Sequence, residues 1–282
     1  MNFYNRLSLC FVISFLSIVA VSQPHYQLNT SIPYYPDSVS ETNDYIKERC
    51  LLDLYQPLGN EGFATLVWFH GGGLTGGDKY LPPLLKEQGI AVAYVNYRLS
   101  PKVIAPAYIE DAAAAYAWVV NHIAEYGGDP SKVFIGGHSA GAYLSLMVGL
   151  DSRWLQKYQL NSDDIPGVLS LSGQVVTHFT IRKERHLPET RIVVDDLAPL
   201  YYVEPVTPPL FLFVGDRNKE LMDRYEENVF FYKRLKACGN DKVSFIEFTD
   251  KDHGTMEQAA YPQVIQFIKD RVAESDNLVP NH

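Results

Sequence analysis

The chain has 282 residues, of which 46% are hydrophobic and 20% are charged, an ordinary composition for a globular protein. Its 24 lysine and arginine residues against 33 aspartate and glutamate residues leave a net charge of −9. Binding to nucleic acid or to anionic lipid needs clustered cations, and no run of lysine and arginine exceeds two residues. The composition therefore argues against both classes of partner.

The first 22 residues have the pattern of a signal peptide. Arg6 provides a positive start, residues 7–21 are almost wholly apolar, and small residues precede Gln23. The apolar run is shorter than the roughly 20 residues of a membrane-spanning helix, so we expect cleavage and no stable membrane insertion. The mature protein is predicted to be one domain over residues 23–282, either secreted or periplasmic.

From about residue 50, apolar runs typical of strands alternate with helical patterns. Strands are predicted at residues 50–56, 64–70, 90–97, 132–137, 167–173, 209–216 and 242–250, the first alternating like an edge strand. Helices are predicted at residues 80–89, 107–128, 140–150, 222–238 and 257–273. Such alternation predicts an α/β fold, with a mostly parallel sheet covered by helices on both faces.

One segment interrupts this alternation. Residues 174–208 carry mixed charge and little periodicity. In a compact domain, an insertion of this length is more often a functional loop than filler. We therefore expect this insertion to contribute to a site.

Two cysteines remain in the predicted mature chain, Cys50 and Cys238. An exported protein could join them in a single disulfide. We favour two free thiols, because a domain of this size can fold without a covalent cross-link. Two cysteines are too few for a structural zinc site and no His-Glu-x-x-His string occurs, so no metal site is predicted.

The chemically suggestive residues follow the predicted strands. These are "HGGGLTGGDK" at residues 70–79, "GHSAG" at 137–141, "GDRN" at 215–218 and "TDKDHGTM" at 249–256. Ligands of parallel sheets bind beyond the carboxyl ends of the strands. The four loops are therefore expected to converge on one site.

Ser139 is the predicted nucleophile. A Gly-x-Ser-x-Gly string alone is a weak signal, but here it joins a strand directly to a helix, as a nucleophile elbow requires. In the earlier loop, glycines allow backbone N–H groups to approach a substrate without an intervening side chain. We predict an oxyanion hole formed by the N–H groups of Gly72, Gly73 and Ala140.

These motifs, with "DLYQP" at 53–57 and "NYRLSP" at 96–101, resemble the α/β-hydrolases. The resemblance is to the esterase and lipase group typified by hormone-sensitive lipase and its small bacterial acetyl- and feruloyl-esterase relatives. It spans roughly residues 50 to 260. It implies an eight-stranded sheet and hydrolysis of short-chain carboxylic esters without a cofactor. Only residues 23–49 precede the first strong strand, so no full N-terminal cap is expected.

His253 is the predicted general base, since it completes the order of serine, acid and histidine that this fold uses. The acid departs from the family pattern, because the position three residues after Gly215 is Asn218. We assign the acid to Asp216, which follows the strand directly. Glu220 is the alternative, and Asp223 is expected to enter the next helix.

Other polar residues have structural interpretations. Arg98 and Asp111 are predicted to form a partly buried ion pair rather than a substrate clamp. His70 and His138 are expected to support the two motifs that contain them. Four further histidines are expected to be solvated surface residues: His25, His122, His178 and His186.

The leading functional hypothesis is a serine esterase that cleaves small acyl or aryl esters, including acetyl or feruloyl groups on polysaccharide. The first alternative is an amidase resembling arylformamidases, which share the fold and the glycine loop. The second alternative is a binding module that kept the fold without catalysis. Hydrolysis of aryl acetates compared with N-formyl anilides distinguishes the two enzymes.

Overall fold

The computed structural model describes residues 25–188 and 190–278. The predicted signal peptide and its cleavage before Gln23 lie outside these residues. Within the described residues, no helix combines the length and the apolar character needed to cross a membrane.

Among the described residues, eight strands form a single sheet in the order β1-β2-β4-β3-β5-β6-β7-β8. The strands are β1 (Tyr26–Pro33), β2 (Leu51–Pro57), β3 (Phe63–Phe69), β4 (Ala91–Val95), β5 (Gly128–His138), β6 (Val168–Leu171), β7 (Leu210–Gly215) and β8 (Val243–Phe248). Strands β3 to β8 are parallel, whereas β2 is antiparallel to both of its neighbours. The eight-stranded, mostly parallel sheet implied by the resemblance is confirmed.

Eight α-helices accompany this sheet in the part of the chain that the structure describes. They are α1 (Asp37–Ser40), α2 (Asp44–Arg49), α3 (Ala107–His122), α4 (Ala140–Leu150), α5 (Arg153–Gln156), α6 (Phe179–Glu184), α7 (Arg224–Ala237) and α8 (Thr255–Leu278). Short 3₁₀ segments lie at Pro83–Leu85, Ile123–Tyr126, Ser162–Asp164 and Pro199–Tyr202.

Each face of the sheet has its own hydrophobic core. Helices α3, α4 and α7 bury apolar side chains on one face, where Tyr143 and Phe231 are fully buried. Helix α8 covers the other face, where Val264 and Ile268 lie in a cluster with Trp68. The apolar runs of β3 and β4 follow from this arrangement, since every residue of both strands is buried.

One strand was not predicted, and two element predictions are wrong. Strand β1 has no predicted counterpart, because its polar, exposed sequence gives little periodic signal. Strand β2 is not an edge strand, since β1 pairs along its outer side. The helix expected at residues 80–89 is only the 3₁₀ turn Pro83–Leu85, after which Lys86 is extended. Lys86 is extended and Glu87 has a φ of 59°, so the backbone leaves the helical region before a second turn can form.

The insertion at residues 174–208 contains α6 and the 3₁₀ turn Pro199–Tyr202. The Thr180 hydroxyl donates to the Gly73 carbonyl at 2.5 Å. On the other side, the Tyr143 hydroxyl donates to the Leu197 carbonyl at 2.7 Å. These bonds attach the insertion both to the glycine loop and to the helix that follows Ser139.

The predicted ion pair is confirmed. Arg98 Nη2 lies 2.7 Å from Asp111 Oδ1, and the Asp111 carboxylate is fully buried. The backbone N–H of Arg98 also donates to this carboxylate at 2.9 Å, which ties the end of β4 to α3. Cys50 and Cys238 are both free thiols, as favoured from the sequence.

Candidate active site

Ser139 occupies a strained turn between β5 and α4. Its φ of 54° and ψ of −114° lie outside the regions that L-residues favour. Such a conformation costs on the order of 1–3 kcal/mol and persists only where neighbouring contacts enforce it. The Ser139 N–H donates to the Leu171 carbonyl at 2.8 Å. A Cβ on Gly141 would lie 2.0 Å from the Phe69 carbonyl oxygen, so only glycine fits there.

The glycine loop lies beside this turn. A Cβ built on Gly71 would be 3.3 Å from Ser139 Cβ. Gly72 has a φ of 113°, and a Cβ there would lie 2.2 Å from the Gly76 carbonyl oxygen. Within residues 25–188 and 190–278, the N–H groups of Gly72 and Gly73 donate to no protein acceptor. Both donors are therefore available to a substrate oxygen.

His70 packs against the glycine loop, in the structural role expected of it. Its ring stacks on Tyr97 at 4.5 Å, and its Nδ1 lies 2.6 Å from the Gly71 carbonyl oxygen. Burial lowers the pKa of His70 to about 4, so the imidazole is neutral near pH 7. Arg49 Nη2 donates to the Gly77 carbonyl at 3.1 Å and holds the far end of the loop.

His253 lies between β8 and α8 and contacts a buried carboxylate. Its Nδ1 is 2.5 Å from Glu220 Oε1, and the Glu220 side chain is only 1% exposed. The other carboxylate oxygen, Oε2, accepts from Ser172 Oγ at 2.7 Å and from the Gly215 N–H at 3.0 Å. These contacts place a charged acceptor behind the imidazole.

The charge of Glu220 is strongly stabilised. Burial alone would raise the pKa of this carboxyl group. The hydrogen bond and charge of His253, with further bonds from the Leu221 N–H and Ser172, outweigh burial and lower the pKa to about 2. Glu220 is therefore ionised at neutral pH.

The prediction that Asp216 accepts a hydrogen bond from His253 is wrong. The carboxylate of Asp216 instead accepts from the backbone N–H groups of Asn218 and Asp250, both at 2.8 Å. Asp216 is the first residue after β7, and its carboxylate is used to stabilise the turn that follows the strand. Glu220 lies four residues later, where its carboxylate folds back to the end of β7 and accepts from the Gly215 N–H.

The loop between β7 and α7 contains two further residues that the sequence analysis considered. The side chain of Asn218, at the position where the resemblance led us to expect an acid, donates to Asp216 at 3.2 Å. Asp223 is the N-cap of α7, close to its expected place in the helix.

His138 links the nucleophile turn to the His253 loop. Its Nε2 lies 2.8 Å from the His253 carbonyl oxygen, and its Nδ1 lies 3.7 Å from Glu257 Oε2. Burial is the main cause that lowers the pKa of His138. The neutral ring therefore donates through Nε2 and fixes the backbone that carries His253. Tyr80 and Tyr261 both donate to Glu257 Oε1.

Sequence reasoning missed Ser172 and Glu257. Ser172 directly follows β6 in the string "LSLSG", where a serine before a glycine at a strand end was the available signal. Glu257 gave no signal beyond its place in a predicted helix. His178, expected at the surface, is only 1% exposed and caps α6 by accepting from the Thr180 N–H at 3.2 Å.

Together, the site contains an exposed glycine loop, a strained serine and a histidine with an ionised acceptor. The Ser139 hydroxyl forms no hydrogen bond with other described residues, as is common in unliganded hydrolases. No cluster of three His, Cys, Asp or Glu side chains among residues 25–188 and 190–278 is arranged to hold a metal ion.

The BD-FAE family model matches residues 52–235, which is more than half of the chain. Carboxylic ester hydrolase LipN of Mycobacterium tuberculosis is 39% identical over 111 residues, 37% of this chain and 30% of LipN. Isoprenylcysteine alpha-carbonyl methylesterase ICME of Arabidopsis thaliana is 27% identical over 235 residues, 72% of this chain and 53% of ICME. The chain thus spans about a third to a half of these curated relatives.

Solved structures show the same fold. A truncated carbohydrate esterase from gut microbiota superposes with a TM-score of 0.71 at 18% identity, over 89% of this chain and 98% of that one. The nucleophile turn and glycine loop lie within the residues matched by the family model. The chain therefore belongs to the BD-FAE family, in the esterase and lipase group of the α/β-hydrolases.

Proposed function

We propose that this chain is a serine carboxylic-ester hydrolase with Ser139, His253 and Glu220 as its catalytic residues. The observation that carries the proposal is the 2.5 Å contact between His253 Nδ1 and the ionised Glu220. With Nδ1–H donated to Glu220, the Nε2 lone pair is free to accept the serine proton.

In the proposed first step, Ser139 Oγ attacks the ester carbonyl carbon while His253 Nε2 takes its proton. Glu220 stabilises the resulting imidazolium, and the new oxyanion accepts hydrogen bonds from Gly72, Gly73 and Ala140. The imidazolium then protonates the leaving oxygen, and the alcohol departs. Water repeats the attack on the acyl-serine with His253 as base, which releases the acid and restores the serine.

The position of the insertion favours substrates with a small acyl group. A Cβ on Gly73 would lie 3.0 Å from the Phe179 ring, which is half-buried over the loop. Because the substrate carbonyl must bind at the Gly73 N–H, its acyl chain meets this ring within a few bonds. Acetyl and other short acyl groups fit best.

The His253 side of the site supports a polar alcohol. The leaving oxygen must lie beside His253, whose carbonyl accepts from His138. The other side of the His138 ring lies 3.7 Å from Glu257, to which Tyr80, 40% exposed, donates. Hydroxyl and carboxylate groups at this rim suit a hydroxyl-rich leaving group. The carbohydrate esterase with the same fold agrees with a sugar or polysaccharide ester as substrate.

Two alternatives carry less support. The relatives described above are named as esterases, and no observation favours an arylformamidase-like amidase. A binding module without catalysis has no use for a buried, ionised Glu220 against His253.

The decisive experiment is a panel of chromogenic esters of increasing acyl length, with acetylated and feruloylated xylan and an N-formyl anilide. We expect hydrolysis of short-chain esters, with little activity on the anilide. Ser139→Ala is expected to lower turnover by about 10⁴-fold or more while circular dichroism stays unchanged. A Ser139→Ala variant that keeps more than a few per cent of activity contradicts the proposal.

Phe179→Ala tests the acyl side on the same panel. Removing the ring opens space beside Gly73, so activity on hexanoyl relative to acetyl esters is expected to rise about tenfold, the size of effect that a few methylene groups give in an apolar pocket. The matched control is Phe230→Ala, which removes a ring that is 53% exposed on α7. An unchanged ratio in the Phe179 variant contradicts a small acyl pocket bounded by this ring.

We propose further that the protein is exported after cleavage before Gln23. The support is the charged start at Arg6 and the apolar residues 7–21. Expression in a host with a secretory pathway should yield extracytoplasmic protein whose N-terminal peptide begins at Gln23 in mass spectrometry. Retention of Arg6 in that peptide contradicts the proposal.

A further inference from the structure

Ser172 is a buried serine at the carboxyl end of β6. Its side chain is fully buried, and its φ is 54°, the same as that of Ser139 at the end of the neighbouring strand. A serine gains nothing from this backbone conformation by itself, since glycine adopts it at lower cost. The strain therefore needs a compensating contact from the side chain.

The hydroxyl of Ser172 lies between the two proposed catalytic partners of Ser139. Its Oγ is 2.7 Å from Glu220 Oε2 and 3.1 Å from His253 Nδ1. A hydroxyl has one proton, and the ionised carboxylate is the stronger acceptor, so Ser172 donates to Glu220. Its lone pair then faces the Nδ1–H of His253. This arrangement favours the tautomer whose Nε2 is free.

The backbone of Ser172 is held from two further sides. Its N–H donates to the Phe213 carbonyl on β7 at 2.7 Å. Its carbonyl accepts a hydrogen bond from the guanidinium of Arg224, which is only 4% exposed. The hydroxyl therefore occupies a fixed point against which Glu220 can be oriented.

We infer that Ser172 is a positioning residue for catalysis, holding the Glu220 carboxylate in the plane that His253 needs. The inference rests on the proposed ester hydrolysis and adds a fourth residue to the three proposed to carry it. Without this hydroxyl, the Gly215 N–H is the one donor left to Oε2 among residues 25–188 and 190–278. The carboxylate can then rotate away from Nδ1, and the imidazole loses its single orientation.

The first test is Ser172→Ala. A hydrogen bond to a charged group is worth enough that its loss should lower kcat by roughly 10- to 100-fold. Since Ser172 does not contact the substrate, KM should change less than twofold. The low-field proton resonance of His253 Nδ1–H should shift or broaden.

The matched control is Ser170→Ala. Ser170 lies two residues earlier on β6 and is fully buried, but its hydroxyl has no hydrogen-bond partner among the described residues. Its removal should leave kcat, KM and the His253 resonance unchanged. An equal loss of kcat in both variants would assign the effect to strand packing and overturn the inference.

A second substitution separates catalysis from folding. Glycine accepts the φ of 54° without strain, so Ser172→Gly should melt at or above the temperature of Ser172→Ala. Both variants lack the hydroxyl and should show the same loss of kcat. A purely structural role would instead make kcat follow the melting temperature.

Failure of this inference differs from failure of the proposed function. If Ser139→Ala abolishes hydrolysis while both Ser172 variants keep full kcat and an unshifted resonance, only the role of Ser172 is wrong. If Ser139→Ala retains activity, the proposed function itself is wrong, whatever the Ser172 variants show.

Discussion

The loops that follow β5 and β7 both present a functional side chain, but different forces determine their shapes. In the β5 loop, close backbone packing around Gly141 leaves one conformation, and Ser139 must project from it. In the β7 loop, Asp216 and Glu220 lie four residues apart, and contacts with other strands decide which of them reaches His253. Steric exclusion around glycine specifies the first loop, whereas hydrogen bonds to carboxylates specify the second.

The two carboxylates of the β7 loop differ in position rather than in charge. Hydrogen bonds from the Asp250 and Asn218 N–H groups lower the pKa of Asp216. Bonds from His253, Leu221 and Ser172 lower that of Glu220 against the effect of burial. Both groups are therefore ionised at neutral pH, and only Glu220 lies against the imidazole.

Exchanging each carboxylate for its amide tests this distinction with the largest expected effect. Glu220→Gln should lower kcat by about 10³- to 10⁴-fold, because the amide cannot stabilise the imidazolium and can bind the wrong tautomer. Asp216→Asn should keep kcat within about threefold but lower the melting temperature by a few degrees, since a turn loses charged hydrogen bonds. Steady-state kinetics and calorimetry on both variants measure these effects.

The opposite pattern would contradict the assignment. If Asp216→Asn abolishes turnover at an unchanged melting temperature while Glu220→Gln remains active, the observed contact is not the functional one. If both stay active, the site works with serine and histidine alone.

The sequence predicted the nucleophile turn better than the acid because the two signals differ in range. The glycines around Ser139 report a close backbone approach that any elbow of this kind must have. Asp216 and Glu220 each had suitable chemistry, and no pattern within the loop shows which one turns towards β8. The choice depends on the Asp250 N–H, which lies 34 residues further along the chain.

The same division explains the errors in the fold. Strands β3 and β4, buried along their whole length, were readable as continuous apolar runs. Strand β1 is mostly exposed and joins the sheet through pairing with β2, so its composition does not indicate a strand. Elements fixed by burial are visible in one sequence, whereas elements fixed by pairing are not.

The shape of the glycine loop, like that of the β5 loop, is set by steric exclusion around glycine. Gly72→Ala would place a Cβ 2.2 Å from the Gly76 carbonyl oxygen at a φ of 113°, which forces the loop to move. Displacing oxyanion donors should lower kcat by about 10²- to 10³-fold. Gly76→Ala is the matched control, since its Cβ meets nothing closer than 4.0 Å.

Kinetics and a melting curve decide this prediction. Gly76→Ala should behave like the wild type in both. If Gly72→Ala folds normally and retains wild-type turnover, then the N–H groups of this loop do not bind the oxyanion.

The pH dependence of stability gives the smallest expected effect and probes the β7 loop without substrate. The pKa of Glu220 is lowered from 4.5 to about 2 in the folded protein, so its ionised form stabilises the fold above about pH 4.5. That contribution, at most about 3 kcal/mol, is lost as the pH falls through this range towards 2. The free energy of unfolding of the wild type minus that of Glu220→Gln should therefore decrease as the pH falls below about 5. Urea unfolding at several pH values measures the difference, and comparing the two proteins cancels the titration of the other carboxylates. A difference that does not change between pH 5 and pH 2.5 would show that Glu220 is not held as an ion against His253.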